Sequence, residues 1–292
     1  MYFTSLMKFQ TKKGWIYCLF ILIVSLSIFM IHGIASAGPP LLNFEGVGGG
    51  GIVPGAYLVN PPQDGKKIGN PVLSSWHAIG GDSNFYTQGI ALSMFDRVEL
   101  GYSHEVFDFR RIKRKLEELS GGTLRADKDF VYQHDFHIKF LLMKEDKYIP
   151  AFALTTEFKF NDTIESINNN LGKPLDGIGY DDNFGTDFDF SFSKTFMNLI
   201  KFPVQTHFNL RLTKGAHTGF LGFSEDYTIN PEIALGVMVH PDIIIGFEYR
   251  QKPDEYKSMA TSLSGFTFKE DDFWDIFFSW MPSKRLSLSV AF

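Results

Sequence analysis

His134-Asp135-Phe136-His137 offers two imidazoles and a carboxylate, the residue types of a metal centre. In an extended strand, however, residues three apart face opposite sides, so these two histidines cannot converge on one ion. Asp181, Asp182, Asn183, Asp187 and Asp189 are oxygen ligands of the kind Ca²⁺ takes, but their spacing does not match an EF-hand loop. Together with Glu270, Asp271 and Asp272 they read as solvated acidic rims. Ser103 adjoins His104 but points to the opposite face, and no G-x-S-x-G motif is present. No enzyme activity, metal or cofactor is expected. Arg110, Arg111, Lys113, Arg114 and Lys115, followed by Glu117 and Glu118, form a charged and helix-compatible loop. It suits lipopolysaccharide phosphates through charge-assisted bonds, although charge runs are more often simply solvated.

The strongest lead is a set of charged and polar residues that recur on one strand face. They are Arg97, Glu99, Asp135, His137, Lys139, Glu157, Lys159, Asp187, Asp189, His207, Arg211, Glu232, Glu248, Arg250 and Asp275. The elements that position them have a period of two. Phe130, Tyr132, His134, Phe136, Ile138, Phe140 and Leu142 alternate with Val131, Gln133, Asp135, His137, Lys139 and Leu141. Tyr148, Pro150, Phe152, Leu154, Thr156, Phe158 and Phe160 make the next ladder. Such alternation specifies strands with one apolar and one polar face, and segments of about ten residues suit a strand tilted across a bilayer. A packed soluble interior would not accommodate so many charges, whereas a wet lumen would. Tyr148, Tyr227, Tyr249, Trp274 and Trp280 near strand ends fit an interfacial girdle.

Ten strands are clear from Phe85 onward. Val72–Ile79 and the Gly-rich stretch Gly38–Val59 raise the number to about twelve. The Gly-rich stretch fits a flexible lead-in, a lumen plug or a weak first strand. Short connections near 95–97, 143–147, 198–202, 240–242 and 281–284 alternate with long ones over about 110–128, 161–183, 214–226 and 251–271. The expected fold is all-β, an antiparallel transmembrane β-barrel of about 10–12 strands. This alternation brings Phe292 to the long-loop side, where a terminal aromatic of an outer-membrane strand does not belong.

Residues 1–37 read as a cleaved secretory signal. Lys8, Lys12 and Lys13 precede the uncharged, mostly apolar stretch Trp15–Ile31, and Ala35-Ser36-Ala37 supplies the cleavage site. Residues 38–83 then form the Gly-rich segment and 84–292 the barrel. Cys18 is the single cysteine. It lacks the small preceding residues of a lipoprotein site, and its loss with the signal leaves no disulfide framework. Removing the three signal lysines takes the formal charge from −5 to −8, which argues against nucleic acid as a partner. No later segment is apolar for long enough to be a membrane helix.

Met94-Phe95-Asp96-Arg97-Val98-Glu99-Leu100, Gly219-Phe220-Leu221-Gly222-Phe223 and Glu248-Tyr249-Arg250-Gln251-Lys252-Pro253-Asp254 carry a family resemblance. So do Glu270-Asp271-Asp272-Phe273-Trp274-Asp275 and Pro282-Ser283-Lys284-Arg285-Leu286-Ser287-Leu288. Over most of the chain after the signal, the sequence resembles an uncharacterised family of exported proteobacterial proteins, a domain of unknown function thought to be an outer-membrane barrel. The resemblance implies location and architecture, and one further loop and strand beyond the segment equivalent to Ser287–Phe292. It implies no activity.

The functional expectation is therefore an outer-membrane barrel acting as a narrow passive pore or transporter for small solutes, with mild cation preference from its acidic lumen. The alternative is a closed structural barrel whose long loops bind a partner, an ion or lipopolysaccharide. Outer-membrane lipid, lipopolysaccharide and the outer-membrane insertion machinery are the expected partners.

Overall fold

The computed structural model describes residues 41–80, 83–197, 199–253, 270–283 and 285–292; the signal expected over 1–37 lies outside them. Eleven strands form one antiparallel sheet in chain order. They are β1 (Val72–Gly80), β2 (Ser83–Met94), β3 (Val98–Asp108), β4 (Phe130–Met143), β5 (Ala151–Asn161), β6 (Phe184–Phe196), β7 (Val204–Gly215), β8 (Phe223–His240), β9 (Ile243–Arg250), β10 (Phe273–Ser283) and β11 (Leu286–Ala291). The sheet curls into a half-barrel with β1 and β11 as its edges. Successive strands alternate in direction, so an odd number leaves these edges running the same way.

The ten clear strands are all present, and Val72–Gly80 adds the eleventh. The Gly-rich stretch contributes no wall strand. Of its three readings the plug is the one observed: residues 41–59 lie inside the curl, and Leu42, Val47, Val53, Ala56 and Val59 are buried there. The long connection expected over 214–226 is shorter, because β8 already begins at Phe223.

Alternation sets the two faces. On β4, Phe136 is 54% exposed outward while Asp135 and Lys139 are fully buried inward. Outer-face aromatics meet across strands, as in Tyr102–Phe136 and Phe152–Phe192, each with ring centroids 4.7 Å apart. Such pairs contribute about 0.5–1.5 kcal/mol beyond their burial. On the inner face the register places opposite charges side by side: Glu99 against Lys139, Asp135 against Lys159, Asp189 against Arg211, and Glu232 against Arg250. A one-residue slip would turn each of these charges outward, so the inner face also fixes the register. The three-residue β2–β3 turn holds Phe95 and Asp96 at positive φ (53° and 56°), and Arg97 N closes it by donating to Met94 O at 3.1 Å.

The long-loop end is roofed. Helix α1 (Arg110–Leu119) turns Ile112 and Leu116 onto Phe109, Ala126, Val131, Ile167 and Phe220. Helix α2 (Ile164–Asn170) sets Ile164 against Leu175, Ile178, Ala216 and Leu221. From the wall, Gln133 donates to Thr218 O (3.0 Å) and Asn161 Nδ2 to Gly219 O (2.9 Å), tying this roof to the inner face.

Candidate functional site

The inner face converges on the segment that fills it. Glu45, in an apolar stretch of that segment, is buried at the centre. Its carboxylate meets Lys159 Nζ at 2.6 Å, Arg250 Nη2 at 2.8 Å and Arg211 Nη2 at 2.9 Å. These cations come from β5, β9 and β7, so one plug carboxylate bridges distant parts of the wall. Each cation is also held by the wall. Lys159 reaches Asp187 (2.9 Å), and Arg250 Nε reaches Glu232 (2.9 Å). Arg211 contacts Glu232 (2.9 Å), Asp187 (3.2 Å), Asp189 (3.3 Å) and Glu157 (3.3 Å).

Two further wall carboxylates hold plug backbone. Glu99 accepts hydrogen bonds from Gly48 N (2.9 Å) and Val59 N (2.8 Å). It also pairs with Lys139 (3.2 Å) and lies 3.3 Å from His137 Nε2, and Lys139 donates to Gly48 O (2.8 Å). Glu248 accepts from three successive amides, Gly51 (2.7 Å), Ile52 (3.0 Å) and Val53 (3.2 Å). Gly50 explains that approach, because a Cβ there would land in the Glu248 carboxylate. The same plug segment also reaches β1, at the edge of the sheet, where Trp76 Nε1 donates to Leu42 O at 2.9 Å. Near the short turns, Tyr57 Oη donates to Glu145, which also accepts from Thr195 N at 2.9 Å.

Fourteen of the expected inward residues do point inward and are buried: Glu99, Asp135, His137, Lys139, Glu157, Lys159, Asp187, Asp189, His207, Arg211, Glu232, Glu248, Arg250 and Asp275. Arg97 does not. It sits at the exposed β2–β3 turn and donates to Leu141 O and Leu142 O at 3.0 and 3.2 Å, because β3 begins only at Val98. The acidic run 181–189 divides. Asp187 and Asp189 join the interior while Asp181 and Asp182 remain exposed on the loop. Glu270 is buried rather than solvated at a rim, pairing with Lys252 (2.9 Å) and accepting from His217 N (2.7 Å). Sequence reasoning missed Glu45, the residue on which the site turns. Its signal was a lone carboxylate in an apolar, Gly-rich stretch.

Glu45, Glu157 and Asp187 lie close enough to hold a metal ion. The Lys159 ammonium already stands among them, with Glu157 3.4 Å away. The triad is therefore matched to an organic cation. Carboxylates still outnumber cationic heads, and Asp135, Glu157 and Asp189 keep oxygens that accept no hydrogen bond, although cations stand near those of Asp135 and Glu157. A proton held between neighbouring carboxyl groups would satisfy this crowding.

Burial pushes the Glu45 carboxyl up, but Arg211, Arg250 and Lys159 more than offset it and hold it at about 2, against an ordinary 4.5. A carboxylate depressed by folding stabilises the fold fully above its ordinary value and loses that contribution as pH falls through the folded one. Stability in detergent should therefore carry a Glu45 component that disappears between pH 4.5 and about 2. A Glu45→Gln variant should lack this component when melted across the same range; an identical acid profile in both proteins would sink the assignment. Burial, then the Glu145 contact, raises the Tyr57 phenol, which stays protonated and able to donate.

Little space remains between plug and wall. Two cavities of about 10 and 20 Å³ lie beside His207 and Gln205, and each has room for a single water.

Residues 39–292 match a family described as a protein of unknown function (DUF3034). The chain belongs to that family. The match takes in the plug as well as all eleven strands, so the two form one family unit. It assigns no activity to the buried charge cluster. A comparison with the curated proteins finds no match.

Proposed function

We propose that this protein is an outer-membrane barrel-type protein closed from within by its own segment 41–59. The observation that carries the reading is an inversion of polarity. Phe136, Phe140, Phe158, Phe208, Ile233 and Phe247 are exposed on the wall, whereas Lys139, Lys159, Glu157 and Arg250 are buried behind it. A contiguous exposed apolar face of this kind is stable against lipid and unfavourable against water. Tyr148 and Trp280 at the short-turn end, with Tyr227, Tyr249 and Trp274 at the other, support two interfacial girdles. No helix among the described residues is long and apolar enough to cross a membrane, and that places no limit on strands. Contact with lipid and lipopolysaccharide, and delivery by the outer-membrane insertion machinery, belong to the same proposal.

The filled interior and roofed loops favour a structural role for this closed state. Passage of small solutes fits only a state in which the plug has left. The site acts as a latch; no group in it is assigned a catalytic role. Single-channel recording of the refolded protein in a planar bilayer tests this. Silence at neutral pH from folded, inserted protein is expected, and discrete steps without any treatment would restore the open pore. The lipid assignment has its own test. Phe136→Arg, in the middle of β4, should destabilise the vesicle-embedded protein by about 2–4 kcal/mol. Unchanged urea stability in vesicles would remove the case for a lipid-facing wall.

A further inference from the structure

The carboxylates around the plug are not matched one for one by cations. Glu45, Asp135, Glu157, Asp187, Asp189 and Glu232 share Lys159, Arg211 and Arg250. All of these side chains are buried. Fully ionised, six carboxylates against three cations would seal three net negative charges in one interior cluster. Buried charge without compensation is so costly that the groups neutralise instead.

The geometry shows where. Asp135 of β4 and Asp189 of β6 each come within hydrogen-bonding range of Glu157 of β5. Ionised carboxylates are acceptors only, so such contacts need a hydrogen that an ionised pair does not have. The surroundings divide the roles. Glu157 has a cation at each oxygen: Arg211 Nη1 is 3.3 Å from Oε1, and Lys159 Nζ is 3.4 Å from Oε2. Asp135 has Lys159 at 3.8 Å, and neither of its oxygens accepts a hydrogen bond. Asp189 Oδ1 accepts from Asn209 Nδ2 at 2.6 Å and lies 3.3 Å from Arg211 Nε, whereas its Oδ2 is buried without a hydrogen-bond partner. The hydroxyl of Thr155, opposite Asp189 in the register, is likewise buried and unpartnered. Unfilled hydrogen-bonding capacity therefore surrounds these carboxyl groups, from a neutral side chain as well as from the acids.

We propose that Asp135, Glu157 and Asp189 form a proton-binding site that holds two protons, with Asp135 and Asp189 as neutral acids that both donate to the Glu157 carboxylate. Four ionised carboxylates then face the three cations. Other charged and titratable groups face the site from each neighbouring element. Lys159 and Asp187 stand beside Glu157, and His137 is opposite it in the register. Glu105 of β3 acts on Asp135, and Arg211 and Glu232 act on Asp189. From the plug, Glu45 shares Lys159 and Arg211 with the site. The site deepens the latch reading and rests on the plug-filled interior: folding around the plug takes up two protons, and release of the plug returns them.

Infrared spectroscopy of the folded protein in detergent micelles at neutral pH reads these protons through the C=O stretch of neutral carboxyl groups. Asp135→Asn and Asp189→Asn keep nearly the same volume and an amide donor towards Glu157. Each should remove one neutral-carboxyl band from the wild-type spectrum. Urea unfolding supplies the count. Two protons held only by the folded state raise the unfolding constant about a hundredfold for each unit of pH above the ordinary carboxyl range of about 4, so stability falls as pH rises. Either Asn variant should lose about tenfold per unit of that dependence. A wild-type spectrum with no neutral-carboxyl band would overturn the proposal even if neither variant folds. Bands unchanged in both variants would also overturn it, because the protons would then sit on other acids such as Glu105 or Asp275. Neither measurement depends on lipid or on current, so its failure is distinct from a failure of the outer-membrane reading in the bilayer recording.

Discussion

Arg211→Met should destabilise the protein by about 5 kcal/mol, the upper end of what losing one partner of a buried ion pair costs. Arg211 contacts Glu45, Glu157, Asp187, Asp189 and Glu232, and among the described residues no other cation touches as many carboxylates. Methionine fills much of the same volume, so the loss is one of charge and hydrogen bonds rather than packing. Lys159 and Arg250 remain, but each already serves carboxylates of its own. Arg211→Lys should fall between wild type and Arg211→Met. It restores the charge without the planar fork that lets Arg211 meet several carboxylates at once. Urea unfolding in micelles measures all three. A Met variant within about 1 kcal/mol of wild type would mean that the cluster contributes little to stability, as can hold for isostere replacements of whole buried ion pairs.

Excising 41–59 should convert a silent wall into a conducting one. The segment occupies the space between Glu99, Glu248 and the central cations, and the two cavities beside it at His207 each hold about one water. Without it, inward carboxylates outnumber inward cations, and the current should prefer cations. The wall could fail to fold once its central carboxylate is gone. Gly50→Leu provides a second route, since its side chain would evict the Gly-rich loop from the Glu248 carboxylate while leaving Glu45 in the chain. Discrete steps from either variant, set against silence from wild type, would establish the plug as the closing element. Silence from both, with folding confirmed, would mean that the roof of α1, α2 and the 216–222 turn closes the barrel by itself.

The sequence by itself determined the wall. A period of two over most of β3 to β10, broken only at bulges near strand ends, settles which side chains share a face. The density of Phe on one face and of charge on the other follows from the same period, without knowledge of partners. That is why fourteen of the fifteen inward residues were legible, and why the exception, Arg97, lies at a turn where the period ends. Tertiary structure alone decided what the inward face does. Glu45 belongs to no periodic segment, so no pattern aligns it with Lys159, Arg211 and Arg250, residues more than a hundred positions away. Whether a charged face lines water or clamps a plug depends on what is threaded through the curl. Cross-strand register is likewise a property of the assembled sheet, which is why His104 and His134 meet although nothing in their spacing joins them. Local periodicity encodes orientation; long-range encounters arise only when the sheet curls around the plug.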